Sequence, residues 1–474
     1  MAQHPNIIFL LCDQMQQKAV MDPASGCLMP HLRTLGQDCV TFENAHTVNP
    51  ICSPARASLI TGLLPHNHGM VDCTHTVPAY RAQYDAALPN LPQTLRAADY
   101  RMAYYGKWHV ERSYDLSQFG FEDYETEKQI PQTNLTPVKR VALHTESYRP
   151  QVIAGVYQED SSFSEEHYVY NRAMSFVDQV QGNPFCVFIS TYAPHDPYVI
   201  PEEIYDLYKD KEISLPCSAE DGMEDKPAIY RRLKALWKDM SHEDLVEIVR
   251  CYWGYCTLVD MQVGRLVAYL KEKKLYDDTI IVFLSDHGDM AGAHGLFCKG
   301  VPAFEEVYRI PLLMKLAGQE RAGEIRSDFA DTCDVLPTVL NLAGVPWQGR
   351  PVDGKNLFDP SQGHKTVGYA EFHGQRYSYT QRVVWEGAMK YVFNAFDEDE
   401  LYDLSRDPDE IHNLAQDPKF EPIKKQLAAR MWQRVLETND WSLRDAQYFM
   451  HRFAPVGPQH TLSEEAFSMY NKTF

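Results

Sequence analysis

The sequence lacks the features that mark several classes of protein. Its 474 residues contain no apolar stretch long enough to span a membrane, no internal repeat and no low-complexity tract. None of the eleven cysteines forms a C-x-x-C pair, and their odd number and scattered positions favour reduced thiols over a disulfide framework. The net charge of −20 disfavours binding to nucleic acid or to an anionic membrane. These absences predict a globular protein that binds neither nucleic acid nor an anionic membrane.

The N-terminus also lacks a recognisable leader. The apolar run at residues 7–12 is too short for a signal peptide and has no basic segment before it, so it predicts a strand. With Met1 as the natural start and reduced cysteines, we expect a cytoplasmic protein.

Short apolar runs alternate with helical patterns over most of the chain. Runs rich in Ile, Val and Phe predict buried strands at residues 7–12, 102–105, 185–190, 279–285 and 312–316. Amphipathic patterns predict helices at residues 91–98, 165–180 and 241–274. This alternation predicts an α/β fold with a mainly parallel sheet flanked by helices on both faces.

The last part of the chain follows a different pattern. Consecutive strands are predicted at residues 366–372, 381–384 and 391–396, followed by a helix at 422–437. We therefore predict a large α/β domain at residues 1–365 and a smaller α+β subdomain with a short antiparallel sheet at 366–474. Its tail after residue 440 is expected to pack on its own chain, with a second subunit of a homo-oligomer as the alternative. Proline and charge at residues 128–150 and 212–227 predict long surface loops.

Two acidic pairs follow predicted strands far apart in the sequence. Asp13 and Gln14 come directly after the first strand, and Asp286 and His287 follow the strand at 279–285. Ligands of open α/β sheets gather beyond the carboxyl ends of the strands. The two pairs would supply three oxygen donors and one imidazole to a divalent cation. Taken singly, an acidic residue after a strand is more often a helix cap or a turn former, and that is the role expected for Asp289.

The stretch from Cys52 to Gly62 has the form C-x-P-x-R-x-x-x-x-T-G. Pro54 is suited to the first turn of a helix, which puts Cys52 at the helix N-terminus, where the dipole favours an anion. Arg56 lies four residues on, on the same face, and can brace the group at position 52. A reactive thiol of lowered pKa and a purely structural cysteine remain alternatives.

Four basic residues follow strands or lie in loops of the same region. Lys107 and His109 come after the strand at 102–105 and point to one face if the extended geometry continues. His195 lies in a proline-bracketed loop after the strand at 185–190, where a lone histidine is usually structural. Lys299 by itself is typical of a solvated surface lysine.

These elements together resemble the type I sulfatases. The C-x-P-x-R signature resembles the one whose cysteine is oxidised to formylglycine by a maturation enzyme, and Gly106-Lys107-Trp108-His109 resembles another family element. The acidic pairs also match in order and position. The family belongs to the alkaline phosphatase superfamily, so the resemblance implies a large, doubly wound, mainly parallel sheet flanked by helices.

The resemblance also implies roles for the residues. Residue 52, as formylglycine, hydrates to a diol that attacks sulfur, Lys107 steadies that diol, and His109 takes the proton that expels sulfate. The remaining assignments are His195 as the acid for the leaving alcohol, Lys299 on the sulfate oxygens, and one divalent ion on Asp13, Gln14, Cys52, Asp286 and His287. The ion would be calcium, or manganese or magnesium, since an imidazole ligand suits transition ions better than calcium.

The sequence thus predicts a hydrolase that cleaves a sulfate monoester, with a sulfated sugar or another small molecule as substrate. Two alternatives in the same superfamily stay open: a phosphonate monoester or phosphodiester hydrolase, and a choline sulfatase. A third alternative is a non-catalytic relative, in which Cys52 remains a thiol and the pocket only holds an anion.

Overall fold

A computed structural model describes residues 4–131, 135–145, 148–180, 182–375, 378–395, 397–444 and 454–471. The strands are β1 (Asn6–Cys12), β2 (Val40–His46), β3 (Arg101–Gly106), β4 (Asp123–Thr126), β5 (Lys139–Thr145), β6 (Tyr148–Tyr157), β7 (Phe185–Ser190), β8 (Tyr198–Pro201), β9 (Thr279–Ser285), β10 (Leu312–Lys315), β11 (Ile325–Asp331), β12 (Val367–Gly374), β13 (Ser378–Glu386), β14 (Met389–Asn394) and β15 (Glu400–Asp403).

The helices run between these strands and after them. They are α1 (Gln17–Met21), α2 (Pro30–Gly36), α3 (Cys52–Thr61), α4 (Pro65–His68), α5 (Leu91–Ala97), α6 (Glu165–Gln179), α7 (Glu202–Tyr205), α8 (Ala228–Lys234), α9 (His242–Glu272), α10 (Glu305–Tyr308), α11 (Val335–Leu342), α12 (Glu421–Glu437), α13 (Trp441–Arg444), α14 (Pro458–Thr461) and α15 (Glu464–Asn471). The long helix α9 begins with a capping box between Ser241 and Asp244. In the described part of the chain, no helix is both long enough and apolar enough to cross a bilayer.

The main sheet has the strand order β11-β2-β10-β9-β1-β7-β3-β4, counted over the described residues. All neighbours pair in parallel except β10, which is antiparallel to both β2 and β9. The non-consecutive order requires helical crossovers, which cover both faces. The predicted α/β class and mainly parallel sheet are confirmed.

Strand β1 shows why both faces are buried. Ile8, Leu10 and Cys12 pack in one core with residues of α6 and α9, whereas Phe9 and Leu11 pack in the other core. Successive side chains of a strand point to opposite faces, so an unbroken apolar run fits a sheet with helices on each side.

The C-terminal strands β12–β15 form an antiparallel sheet, as the sequence predicts. Val383 and Trp385 of β13 pack into the core of the main sheet, while Val384 faces Met431 and Trp432 of α12. The last residue of the third predicted strand, Phe396, lies outside the described residues, as do residues 445–453 of the tail. The division at residue 365 stays a prediction.

The prediction of a long surface loop at residues 128–150 is wrong. Its second half forms β5 and the start of β6, which pair antiparallel, and β6 pairs in parallel with β8 in a third sheet. The alternation of apolar and polar residues that marks a strand is short there. Pro131, Pro137 and the charged residues obscured it. Pairing with β8, some forty residues away in sequence, supplies what the local pattern lacks.

Candidate active site

Four neighbouring parallel strands bring their carboxyl ends together at one edge of the main sheet. The register aligns Cys12 of β1 with Ser285 of β9, and Leu11 of β1 with Ser190 of β7. Strand β3 ends at Gly106, which lies opposite Ser190. A Cβ on Gly106 would stand 1.8 Å from the carbonyl oxygen of Ser190, so only glycine permits this approach. The loops after these strands therefore open onto one place.

Cys52 lies at that place, at the first residue of α3, and is buried. Its Sγ is 3.4 Å from Nε2 of His287, 3.7 Å from Oδ1 of Asp13 and 3.8 Å from Nζ of Lys107. Burial alone raises the pKa of the Cys52 thiol, but Lys107, Lys299 and His287 lower it well below its usual range. The helix N-terminus and the cations together favour a negatively charged group at position 52.

Arg56 ties the two acidic strand ends together. Its Nε donates to Oδ2 of Asp286 at 2.7 Å, and Nη2 donates to Oδ2 of Asp13 at 3.2 Å. Nη1 donates to the carbonyl of Lys107 at 2.7 Å and to Oγ of Ser190 at 2.8 Å. The guanidinium thus braces the groups around residue 52, whereas the sequence predicted that it braces residue 52 itself.

Among the described residues, Cys52 belongs to a group of four side chains that could hold a metal ion. One ligand atom from each of Asp13, Cys52, Asp286 and His287 lies within 4.8 Å of the others, and all four side chains are buried. Burial and the nearby Asp13 raise the pKa of Asp286, against the opposing effects of His287 and Arg56. Carboxylates with one imidazole fit a divalent ion such as calcium, magnesium or manganese.

Gln14, the fifth predicted ligand, makes other contacts. Its Nε2 donates to Oδ2 of Asp289 at 2.5 Å and to Oδ1 of Asp196 at 3.2 Å, and its Oε1 accepts from Nζ of Lys299 at 2.6 Å. The backbone of Gln14 is left-handed, with φ of 72°. Its amide holds Lys299 in place.

Lys107 and Lys299 lie in the same site, and their side chains are only 3% and 7% exposed. Nζ of Lys107 lies 2.6 Å from Oδ2 of Asp13, and Nζ of Lys299 lies 3.7 Å from Oδ1 of the same residue. Burial by itself lowers the pKa of each lysine, but Asp13 and Cys52 raise both above the usual range. Both groups therefore carry a charge that can balance an anion.

His109 lies beside the same thiol, but not in the way that the sequence predicts. Strand β3 ends before Lys107, and His109 has a left-handed backbone with φ of 52°, so the extended geometry does not continue. The turn still places His109 in the lining of the same cleft as Cys52. Burial lowers its pKa to about 4, so the imidazole is neutral at neutral pH.

Two residues beside His109 were missed by the sequence reasoning. Nδ1 of His75 lies 2.5 Å from Nε2 of His109, and Sγ of Cys73 lies 3.6 Å from the same nitrogen. The signal was the short Cys73-Thr74-His75 stretch, in a loop that gave no motif. Only the fold reveals that it meets the loop after β3.

His195 lies at the rim of a cleft of about 380 Å³ that opens above residue 52. Its Nδ1 is 2.6 Å from the carbonyl oxygen of Asp196, and its ring packs at a tilt of 49° against the ring of Tyr192. Cys52, Lys107, His109 and Lys299 line the same cleft. The four predicted basic residues are thus gathered around residue 52 in a space large enough for a small substrate.

Asp289 has the supporting role that the sequence predicts. Its Oδ1 accepts from the backbone N–H groups of Ala291 and Cys298, and its Oδ2 accepts from Gln14 and from Tyr198 Oη. Burial raises its pKa to about 6. It caps the loop that carries Lys299.

The sequence matches the family model named Sulfatase over residues 5–345, and the model described as N-sulphoglucosamine sulphohydrolase, C-terminal, over residues 292–437. It is 30% identical to the choline-sulfatase of Rhizobium meliloti (strain 1021), an alignment that covers 94% of this chain and 89% of the relative.

Two solved structures share the fold. The phosphonate monoester hydrolase SpPMH from Silicibacter pomeroyi has a TM-score of 0.78 and 21% identity, covering 93% of this chain and 97% of that one. The structure of BT4656 with its substrate D-glucosamine-2-N,6-O-disulfate has a TM-score of 0.71 and 20% identity, covering 92% and 99%. The first family match spans more than half of the chain, so the chain belongs to the sulfatase family of sulfuric ester hydrolases, in the alkaline phosphatase superfamily.

Proposed function

We propose that the protein hydrolyses a sulfate monoester of a sugar to the alcohol and inorganic sulfate, with residue 52 converted from cysteine to formylglycine. The observation that carries the proposal is the convergence of Lys107, Lys299 and the helix N-terminus on residue 52, next to two carboxylates bridged by Arg56. An anion bound there is surrounded by fixed positive charge in a buried site. An oxidising maturation enzyme would have to act before turnover.

One divalent ion would be held by Asp13, Asp286, His287 and residue 52. When bound, it supplies a Lewis acid that polarises oxygens on the nucleophile and on the sulfate group. The imidazole among the ligands favours manganese over calcium. Gln14, the further ligand that the sequence predicts, accepts a hydrogen bond from Lys299 through the amide oxygen that would bind the ion.

Formylglycine supplies a hydrated aldehyde, in which one hydroxyl attacks sulfur and the other later releases sulfate. In the first step Lys107, 3.8 Å from the side chain of residue 52, stabilises negative charge on the attacking oxygen. Lys299 balances the charge that develops on the sulfate oxygens. Nε2 of His195, whose Nδ1 lies by the Asp196 carbonyl, gives a proton to the departing alcohol.

His109 acts in the second step. Burial keeps its imidazole neutral, with a pKa of about 4, so it can accept a proton from the second hydroxyl of residue 52. Loss of that proton breaks the bond to sulfate and restores the aldehyde. The nucleophile is regenerated without an attack of water on a sulfur atom crowded by oxygens.

The lining of the cleft favours a sugar over choline. Polar side chains of Thr76, Glu127, Asp196 and Gln375 face the space and are suited to sugar hydroxyls. A quaternary ammonium group needs an open aromatic face. The two tyrosines of the cleft already have a lysine over the ring: Lys107 lies 4.4 Å from the Tyr192 centroid, and Lys128 lies 3.3 Å from that of Tyr114.

A phosphonate monoester is the second candidate substrate. Like a sulfate monoester it carries one negative charge, so the same two lysines would balance it. The likeness in fold to the Silicibacter pomeroyi phosphonate monoester hydrolase is the reason to include it.

The test is a substrate panel with protein co-produced with a formylglycine-generating enzyme and supplied with manganese or calcium. Release of free sulfate is measured from sulfated sugars and choline sulfate, beside a phenyl phosphonate monoester. We expect sulfate release from at least one sugar. Turnover of the phosphonate alone would transfer the assignment to the second candidate, and turnover of choline sulfate alone would contradict the interpretation of the cleft.

A pair of cysteine variants tests the nucleophile. Cys52→Ala is expected to abolish turnover, whereas Cys186→Ala is expected to keep it, since Cys186 is buried in β7 near the opposite end of the strands. Mass spectrometry of the peptide around residue 52 reports its conversion to the aldehyde. Full activity of Cys52→Ala would rule out this nucleophile.

A further inference from the structure

We propose that Cys73, His75 and His109 form a second metal site, for zinc or a similar transition ion, beside the oxygen-rich site at Cys52. One ligand atom of each residue lies within 4.8 Å of the others. Thiolate and imidazole are the ligands that such ions prefer, whereas calcium and magnesium prefer oxygen. The two groups of ligands would therefore select different ions.

The distances from the sulfur match zinc geometry. Sγ of Cys73 lies 3.5 Å from Nδ1 of His75 and 3.6 Å from Nε2 of His109. In a tetrahedral zinc site, bonds of about 2.3 Å to sulfur and about 2.0 Å to nitrogen separate sulfur from nitrogen by about 3.5 Å. Two of the three distances between the ligand atoms therefore already match those of a tetrahedral zinc site.

The third separation requires a small adjustment. The two imidazole nitrogens are 2.5 Å apart, and a tetrahedral ion would hold them about 3.3 Å apart. The rings are nearly parallel, with centroids at 4.6 Å. His75 is exposed while Cys73 and His109 are buried, so rotation of the His75 side chain can open the space.

The position of the group leaves a way in for an ion. All three residues line the cleft of about 380 Å³ above residue 52, and His75 lies at its exposed side. Three protein ligands and an open fourth position are typical of zinc sites that also bind water or a substrate group. Cys73 and His75 are two residues apart in one loop, and the loop after β3 supplies His109.

Binding would have a consequence for catalysis, and this part rests on the proposed function. A metal on Nε2 of His109 takes the lone pair that would accept the proton from residue 52. Zinc would then inhibit the enzyme by occupying a site different from that of the activating ion. Binding itself does not depend on the enzyme being a sulfatase.

Cobalt is the spectroscopic probe, because cobalt(II) bound to a thiolate gives an intense near-ultraviolet charge-transfer band. The full-length Cys52→Ala variant is titrated with cobalt chloride in excess calcium, so that neither Cys52 nor the oxygen-rich site contributes a thiolate. We expect a band that saturates at one cobalt per chain and is displaced by zinc. Absence of the band would overturn the proposal.

Two variants and a matched control locate the site. In the Cys52→Ala background, Cys73→Ser is expected to abolish the band and His75→Ala to weaken cobalt binding at least tenfold. Cys298→Ser is the control, since Cys298 also lines the cleft but lies outside the group. Circular dichroism verifies that each variant is folded. An unchanged band in Cys73→Ser, or its loss in Cys298→Ser, would contradict the assignment.

The inhibition experiment uses enzyme in which residue 52 has been converted to formylglycine. Zinc is expected to inhibit turnover reversibly, and His75→Ala is expected to need at least tenfold more zinc for half-inhibition relative to its own zinc-free rate. If zinc binds but does not inhibit turnover, the metal site would stand and the role of His109 as the proton acceptor would be overturned. A protein inactive on every substrate would count against the proposed function, while the cobalt band would still decide the metal site.

Discussion

Nε of Arg56 donates to Oδ2 of Asp286 at 2.7 Å, in a buried ion pair whose side chains are each 1% exposed. The same guanidinium reaches Asp13, so one residue of α3 joins the ends of β1 and β9. Burial opposes ionisation of Arg56, but the two carboxylates raise its pKa above the usual range. The charged network beside residue 52 therefore depends on all three members.

Arg56→Ala is expected to lower the free energy of unfolding by about 3–5 kcal/mol, because it leaves two buried carboxylates without their partner. Arg56→Lys keeps the charge but cannot bridge both carboxylates, so it should lose activity with a smaller loss of stability. Urea unfolding measures both. The exposed pair of Arg321 with Glu324 offers a control, for which Arg321→Ala should cost less than about 1 kcal/mol. Equal losses for Arg56→Ala and the control would refute the bracing role.

Removal of the divalent ion with a chelator is expected to abolish activity and to lower the midpoint of thermal unfolding. An ion present at a hundred times its dissociation constant stabilises the native state by about 2.7 kcal/mol. Asp13→Asn should make the unfolding midpoint insensitive to added manganese or calcium. Asp115→Asn, at an exposed position, should keep the response. A midpoint that rises equally with added ion in Asp13→Asn and in the parent would place the ion elsewhere.

His109→Ala is expected to slow the release of sulfate more than the release of alcohol. Since His109 would act only in the second step, one equivalent of alcohol should appear in a burst before a turnover rate lowered by about 10²–10⁴-fold. Rapid-quench kinetics measures the burst, and mass spectrometry should detect sulfate on residue 52. Loss of turnover with no burst would assign His109 to an earlier step.

His195→Ala is expected to give the opposite pattern. It would remove the acid that protonates the leaving alcohol, so no burst should appear, and the rate should fall most for sugar sulfates with poor leaving groups. Nitrophenyl sulfate, whose leaving group needs no proton, serves as the control substrate. An equal loss of kcat on both substrates would exclude the acid role.

The pair of His66 with Glu371 predicts a loss of stability at alkaline pH. Nδ1 of His66 lies 2.5 Å from Oε1 of Glu371. Burial alone lowers the pKa of His66, but Glu371, with a smaller effect of Asp440, raises it to about 9. In the unfolded chain histidine titrates near about 6.5, so the pair stabilises the fold fully below that pH and loses its effect as the pH rises through about 9.

His66→Gln should therefore flatten the dependence of unfolding free energy on pH between 6 and 10, which amounts to roughly 3 kcal/mol in the parent. Urea midpoints at several pH values measure it. The pKa of Glu371 is held well below its usual range, so its own contribution is lost only at acid pH and does not enter this window. His364→Gln is the control, since that side chain is 73% exposed. The same slope in His66→Gln as in the parent would contradict the prediction.

The sequence by itself determined the elements whose cause is local. Proline in the first turn and the glycine after Thr61, with φ of 67°, set the bounds of the helix that begins at Cys52. Unbroken apolar runs identified β1, β7 and β9, because strands buried on both faces need no polar side. The family and the class of fold followed from these motifs and are confirmed.

Only the tertiary structure decided which groups meet. Asp13 and Asp286 are 273 residues apart, and parallel pairing of β1 with β9 brings them to one guanidinium. The backbone of Gln14 is left-handed and its side chain contacts Lys299, neither of which a pattern of residue types specifies. The contact of His75 with His109 and the pairing of β6 with β8 likewise join segments that are distant in sequence. Contacts of this kind depend on how the whole chain packs. The residues on either side of each position in the sequence do not determine them.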